Sequence, residues 1–147
     1  MPKHAPSCRI RPATAQDIDL LWEALAIAAY EPSVAAARAV PLVAEHLAGW
    51  PRPGDFGVIA EQAGRYAGAA WARQYTPAEN PSFYVDASTP ELSIGVAAAA
   101  RGQGVGQALL TGLIAAARGR RVGLCLNVRD SNPAIRLYER NGFRRVP

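Results

Sequence analysis

The stretch Arg101-Gly102-Gln103-Gly104-Val105-Gly106 organises the C-terminal part of this sequence. Just before it, Leu92-Ser93-Ile94-Gly95-Val96 alternates like a strand, and after it an apolar run has helical spacing: Leu109, Leu110, Leu113, Ile114 and Ala117. Glycine lets a ligand approach the backbone closely, and the first turn of a helix offers free N–H groups and a partial positive charge. The strand–turn–helix pattern therefore predicts an anion site, most often for phosphate.

The two common nucleotide-binding motifs do not fit this stretch. A Walker A loop places Lys and then Ser or Thr after its last glycine, and here Gln107-Ala108 follows. A Rossmann fingerprint counted from Gly102 needs glycine where Gln107 stands. It also needs an acidic residue about 20 positions further on, where this chain is apolar. The phosphate ligand must belong to another class.

Three features together carry a family resemblance. Arg101, Gly104 and Gly106 match the pattern Arg or Gln, two residues, Gly, one residue, Gly or Ala. The predicted strand 91–96 ends five positions before Arg101, which is also the spacing in the family. The segment 127–143 reads as strand, Asn, helix, Tyr and then Gly-Phe. In these features the chain resembles the GNAT superfamily of acetyl-CoA-dependent N-acetyltransferases.

The resemblance implies one domain over residues 1–147 with an α/β (α+β) GNAT fold. Its central twisted sheet would be mixed but mostly antiparallel, with about six strands flanked by about four helices. The fourth and fifth strands would part in a V. Family members continue past Gly-Phe into two more strands, whereas only Arg144-Arg145-Val146-Pro147 follow Phe143 here. The C-terminal hairpin is therefore expected to be incomplete.

Local signals place the individual elements. Strands are predicted at 8–11, 56–61, 66–73, 91–97 and 122–128, with a hairpin turn at Ala63-Gly64. Thr14 caps a first helix, two short helices meet at Pro41, and a further helix spans about 104–118. The last helix is capped by Asn132, begins at Pro133 and closes at Asn141-Gly142. Residues 75–90 form a long loop of the kind that is usually functional or mobile, with 83–85 as a candidate strand.

By the same resemblance, the pantetheine arm of acetyl-CoA would lie in the gap between the parting strands, and its diphosphate would lie on the glycine loop. A bulge in the strand would suit Gly95, although packing would also explain a glycine there. The implied cofactor contacts are Ile94, Gly95, Val96, Arg101, Gly102, Gln103, Gly104, Val105, Gly106, Gln107 and Asn132.

The resemblance also implies the catalytic roles. The backbone N–H of Val96 would polarise the thioester carbonyl, and Tyr138 would protonate the leaving thiolate. The general base has two family positions: Asn127 stands at one and cannot accept a proton, whereas Glu91 stands at the other. Glu91 is the candidate base, and a water relay or no dedicated base remains open. One wall of the acceptor site would come from the first helices, with four candidates: Tyr30, Glu31, His46 and Trp50.

Composition narrows the class of protein. Half of the 147 residues are hydrophobic, but no apolar run reaches the ~20 residues of a membrane span, and the N-terminus has no signal-peptide core. A cytoplasmic protein is expected. Cys8 and Cys125 have no metal or redox spacing, so they are expected to be reduced and no metal site is expected.

Several functions remain in competition. The leading one is an N-acetyltransferase acting on a small-molecule or peptide amine, and the alternative is a non-catalytic acyl-CoA-binding module. Residues 101–147 hold nine arginines and two acidic residues, which would attract an anionic cofactor or a nucleic acid. Nucleic acid is the less favoured partner because that segment has only Tyr138 and Phe143 for stacking. An uncovered edge on the fifth strand would favour a homodimer.

Overall fold

A computed structural model describes residues 7–80, 82–128 and 131–146. Four antiparallel strands form one sheet in the order β1-β2-β3-β4. The strands are β1 (Cys8–Pro12), β2 (Phe56–Gln62), β3 (Arg65–Arg73) and β4 (Glu91–Val96). The α-helices are α1 (Ile18–Ala28), α2 (Val34–Ala39), α3 (Pro41–Ala44), α4 (Val105–Arg120) and α5 (Ile135–Arg140).

Helices cover both faces of the sheet. Alternate strand residues point to opposite faces, so Val58 of β2 joins the core under α4 while its neighbour Ile59 joins the core under α1. In β3, Ala70 and Trp71 divide in the same way. The small side chains of β3 let both helices approach closely, which explains why both faces of this strand are buried.

The segment 122–128 touches β4 at one point and then leaves it. The N–H of Cys125 donates to Pro90 O at 3.0 Å, the N–H of Leu92 donates to Cys125 O at 2.8 Å, and Glu91 pairs with Cys125 in a parallel bridge. The predicted fifth strand is therefore reduced to a single bridge, and the predicted split opens beyond Leu92. The GNAT architecture is confirmed, although the sheet has four strands where about six were expected.

Other predicted elements differ in detail. Phe83 lies in a turn rather than a strand, and residues 143–146 contain no strand. The described residues contain five α-helices where about four were expected. Helix α5 begins at Ile135 with Ala134 as its N-cap, so Asn132 and Pro133 precede the helix. Two residues of the family segment, 129 and 130, lie outside the described residues.

Two predicted turns, one between β2 and β3 and one at the end of α5, are confirmed. Ala63 and Gly64 both have positive φ, as a tight hairpin turn between β2 and β3 requires. Gly142 has a φ of 93° and closes α5, since its N–H donates to Glu139 O. Both cysteines are free. None of the helices in the described part of the chain has the length and apolar character needed to cross a membrane.

Candidate functional site

The glycine loop opens α4 onto free space. Gly102 and Gly104 have φ values of 74° and 79°, and a Cβ built on either would meet no heavy atom within 4 Å. Gly104 is the N-cap of α4, which runs for 16 residues. The first N–H groups of a helix have no acceptor within the helix, so they can bind an anion here together with the positive end of the helix dipole.

Two predicted cofactor residues at the start of α4 use their side chains in contacts within the protein. Val105 is buried in the core, and the Gln107 side chain exchanges hydrogen bonds with that of Asn141 at 2.8 and 2.9 Å. Val105 could therefore contact a ligand only through its backbone, whereas the Gln107 side chain is exposed but already hydrogen-bonded. Arg101 is exposed beside the loop, and the amide of Gln103 donates to Ala99 O at 3.3 Å.

The free edge of β4 carries two N–H groups that face the gap. Successive residues of a strand direct their backbone groups to alternate edges. The N–H of Ala97 points to β3, where it donates to Ala67 O, whereas that of Leu92 points to Cys125. Ile94 and Val96 share the orientation of Leu92, so their backbone groups face the gap. Both were predicted cofactor contacts, and this edge can pair with an extended ligand.

Gly95 is a packing residue. A Cβ at this position would contact the backbone carbonyl oxygen of Ala24 in α1, and it would lie 2.8 Å from the Ala24 Cα. The pairing of β3 with β4 runs from Arg73–Glu91 to Gly68–Val96 without a register shift. The predicted bulge at Gly95 is therefore wrong, because the glycine is needed for the close approach of α1.

We expect Gly95→Ala to destabilise the fold by about 1–3 kcal/mol, because the new methyl group would push α1 away from β4. The matched control is Gly119→Ala in α4, where a Cβ meets nothing within 4 Å. That control should gain up to ~1 kcal/mol from helix propensity. Urea unfolding measures both changes, and an unchanged midpoint for Gly95→Ala would contradict the packing role.

Tyr138 lies on α5 facing the core, with its ring packed edge-on against Phe143 at 5.8 Å between centroids. Burial raises the pKa of Tyr138 to about 12, and the nearby Tyr30 adds to the rise. The phenol therefore remains protonated throughout the neutral range, as a proton donor must. A groove of about 850 Å³ runs along the 122–128 segment, and both Tyr138 and Asn127 line it.

Glu91 is held in a buried cluster at the start of β4. Its carboxylate Oε1 lies 2.9 Å from His46 Nε2, and its Oε2 accepts from the Asn127 amide at 2.9 Å. The side chain of Glu91 is only 3% exposed. The rings of Tyr75 and Phe83 pack against the His46 ring. Each carboxylate oxygen of the candidate base thus has its own partner.

Strand β3 anchors the turn that carries His46. The indole of Trp71 donates to His46 O at 3.0 Å. The buried guanidinium of Arg73 donates to the carbonyls of Glu45 and Ala48 at 2.9 and 2.7 Å, and it forms an ion pair with Asp55 at 2.8 Å. A buried charge pair of this kind fixes geometry because breaking it leaves a charge unpaired.

The acceptor-side candidates do not all meet. His46 joins Glu91, and Tyr30 lies near enough to Tyr138 to influence its pKa. Trp50 lies elsewhere, since its indole donates to Thr14 O at 3.3 Å beside β1. Asn132 accepts from the N–H of Ala134 at 2.8 Å and so caps the turn before α5 rather than the helix itself.

His46 and Glu91 were both predicted site residues, but their pairing was not predicted. Asn127 was excluded as a base, and its role as a donor to Glu91 was not predicted. The contact joins three segments that are distant in sequence, and no local pattern signals it. Tyr75 and Phe83 pack against the His46 ring, but the sequence predicted only that they lie in a long loop.

Sequence and structure comparisons relate this chain to known acetyltransferases. The sequence model of the Acetyltransferase (GNAT) family matches residues 20–143. The ribosomal-protein-alanine N-acetyltransferase from Brucella melitensis is 32% identical, with a TM-score of 0.67, over 92% of this chain and 84% of that one. The ribosomal-protein-S18-alanine N-acetyltransferase from Escherichia coli is 26% identical, with a TM-score of 0.68, over 96% and 80%.

An acetyltransferase structure from Salmonella typhimurium, solved with its cofactor acetyl-CoA, shares the fold at 24% identity with a TM-score of 0.67, over 93% of this chain and 79% of that one. Comparison with curated proteins gave no match. The family match covers most of the chain, and the glycine loop and the parted strands lie within it. The chain therefore belongs to the acetyltransferase (GNAT) family.

Proposed function

We propose that this protein is an N-acetyltransferase that moves an acetyl group from acetyl-CoA to a primary amine by direct attack. The observations that support this most strongly are the uncrowded glycine loop and the edge of β4, which has no further bridge to the 122–128 segment among the described residues. Gly102 and Gly104 have free space around them, and β4 parts from the 122–128 segment beyond the Glu91–Cys125 bridge.

The residues present fit acetyl-CoA. Its diphosphate would lie on the N–H groups between Gly102 and Gly106, where uncrowded glycines and a helix N-terminus meet. Its pantetheine arm would pair with the backbone groups of Ile94 and Val96 that face the gap. When bound, acetyl-CoA supplies an acetyl group activated as a thioester.

The protein's own groups would then serve the transfer. The N–H of Val96 stabilises negative charge developing on the carbonyl oxygen, a contribution worth roughly 10²–10³ in rate for one donor. Tyr138 donates a proton to the departing thiolate. Glu91 takes the proton from the attacking amine. Val96 lies five positions after Glu91, roughly 17 Å along an extended strand, so that proton travels through water.

We favour the amine of a peptide N-terminus as the acceptor. Two relatives with 32% and 26% identity are named as alanine N-acetyltransferases of ribosomal proteins. The groove of about 850 Å³ beside Tyr138 is long enough to border the 122–128 segment, α5 and residues 143–146, which suits an extended chain better than a compact metabolite.

Release of free CoA from acetyl-CoA tests the proposal. We expect release with a short peptide that begins with alanine and none with the same peptide acetylated at its N-terminus. A panel of small amines distinguishes the two acceptor classes. Tight acetyl-CoA binding without turnover for any amine would favour the alternative, a non-catalytic acyl-CoA-binding module.

A further inference from the structure

Both ring nitrogens of His46 face oxygen acceptors. Nε2 lies 2.9 Å from the Glu91 carboxylate, and Nδ1 lies 3.1 Å from the carbonyl oxygen of Val43. A neutral imidazole carries one hydrogen, so one of its lone pairs would face an oxygen. Only the doubly protonated ring donates to both. The geometry therefore favours the imidazolium form of His46.

Asn127 completes the arrangement on the other side of Glu91. Its amide nitrogen donates both hydrogens, one to Glu91 Oε2 at 2.9 Å and one to the carbonyl of Ser82 at 2.6 Å. The amide thus ties the carboxylate to the loop that covers it. An aspartate or glutamate at position 127 could not donate and would add a second negative charge.

We propose that His46 is a positioning residue for Glu91, so that the two side chains accept the amine proton as one pair, with Asn127 fixing the carboxylate. This inference rests on the proposed function, in which Glu91 is the base. The pair accepts this proton only while His46 is neutral, and the two acceptors stabilise the imidazolium that results. The acceptor's ammonium N–H bond breaks, its electron pair stays on nitrogen for the attack, and the proton passes through water and Glu91 to His46 Nε2. It returns to solvent from the His46 side chain, which is 19% exposed against 3% for Glu91.

The charged groups around His46 and Glu91 do not offset the attraction between these two side chains. Tyr75 packs against His46, and its own pKa responds to Glu91, Arg73, Arg52 and Glu45. The two arginines are occupied, Arg73 by Asp55 and Arg52 by Glu79. Among the described residues, the buried Oε2 atom of Glu45 has no hydrogen-bond partner. Nothing among these groups cancels the attraction between His46 and Glu91.

The pKa of His46 follows from the balance of these effects. Burial lowers this pKa. The hydrogen bond and charge of Glu91, together with the Val43 carbonyl, raise it by more, so the pKa of His46 lies above its ordinary value. Below that raised pKa the pair already holds its proton and cannot accept another. Activity should therefore rise with pH through a value above the ordinary ~6.5 of histidine. The pair's contribution to folding runs the other way, being present below ~6.5 and lost as pH rises through the raised pKa.

The first measurement is an NMR titration of the imidazole of His46, which needs no variant and no acceptor. The chain has only two histidines, so His46→Gln assigns the signals. We expect a pKa above ~6.5 in the wild type and a value at or below ~6.5 in Glu91→Gln, because burial remains while the negative charge is lost. An ordinary or lowered wild-type pKa would overturn the inference, whatever the activity.

The second measurement is the pH profile of kcat/KM with acetyl-CoA and the alanine peptide. Glu91→Gln should lose about 10²–10⁴ in rate as a lost base. His46→Gln keeps a donor for Glu91 but leaves a weaker base. The kcat/KM of His46→Gln at pH ~7.5 should therefore fall about tenfold. The acidic limb of its pH profile should shift to lower pH by at least ~1 pH unit. The control is Glu61→Gln, which breaks the ion pair with Arg11 between β1 and β2 and should leave the pH profile unchanged.

The outcomes separate the two claims. If His46→Gln and the wild type have superimposable profiles while Glu91→Gln is inactive, the role of His46 is wrong and the proposed function stands. If Glu91→Gln keeps full activity, Glu91 is not the base and the inference falls with it. A wild type that acetylates no amine overturns both.

Discussion

Gly106→Glu should abolish acetyl-CoA binding at micromolar concentrations while leaving the protein folded. A Cβ at Gly106 would lie 3.5 Å from Leu137 and 3.8 Å from Val96, both ordinary contact distances, so the backbone is not strained. The carboxylate would enter the space where the diphosphate is expected. Two like charges ~4 Å apart repel by ~4 kcal/mol at an effective dielectric constant of ~20, about a thousandfold in Kd.

Isothermal titration with acetyl-CoA measures this effect, and Gly119→Glu is the matched control. Gly119 lies near the other end of α4, where a Cβ meets no atom within 4 Å. It adds the same charge to the same helix, so it should leave affinity nearly unchanged. Equal affinity for Gly106→Glu and the control would mean that the cofactor does not lie on the glycine loop.

Tyr138→Phe should lower kcat about 100-fold while sparing acetyl-CoA affinity, since only the hydroxyl that protonates the thiolate is lost. The ring and its contact with Phe143 remain, so the fold should be preserved. Because the pKa of Tyr138 is raised to about 12 by burial, this residue should cause no loss of wild-type activity between pH ~6 and ~10.

The control for Tyr138→Phe is Tyr66→Phe, which removes the hydroxyl of a tyrosine outside the site that donates to Leu20 O at 3.0 Å. Tyr66→Phe should cost some stability, ~1 kcal/mol for one hydrogen bond, and little activity. If Tyr138→Phe turned over at the rate of this control, the hydroxyl would have no part in the reaction.

Local signals predicted the glycine loop, α4 and the closure of α5, because each depends on residues within one or two turns. The 122–128 segment was predicted as a strand because its apolar residues alternate. That alternation is real, since Val122, Leu124 and Leu126 pack against the core under α4. Alternation predicts which face of a segment is buried. It does not predict whether the backbone forms hydrogen bonds with a neighbouring strand.

The remaining errors have a common physical origin in long-range contacts. A glycine in β4 suits a bulge or a close approach equally well, and only the position of α1 over Gly95 decides between them. The pairing of His46 with Glu91 depends on β3 holding the turn around His46 through Trp71 and Arg73. Neither arrangement produces a periodic pattern in the sequence from which it could be predicted.

The central claim is that acetyl-CoA lies along the free edge of β4 with its diphosphate on the opening turn of α4. A crystal structure of the complex with acetyl-CoA tests this most directly. We predict phosphate oxygens within hydrogen-bond distance of N–H groups between Gly102 and Gly106, and the pantetheine arm paired with Ile94 and Val96. Phosphates bound elsewhere, or a 122–128 segment paired along the whole of β4, would contradict the account.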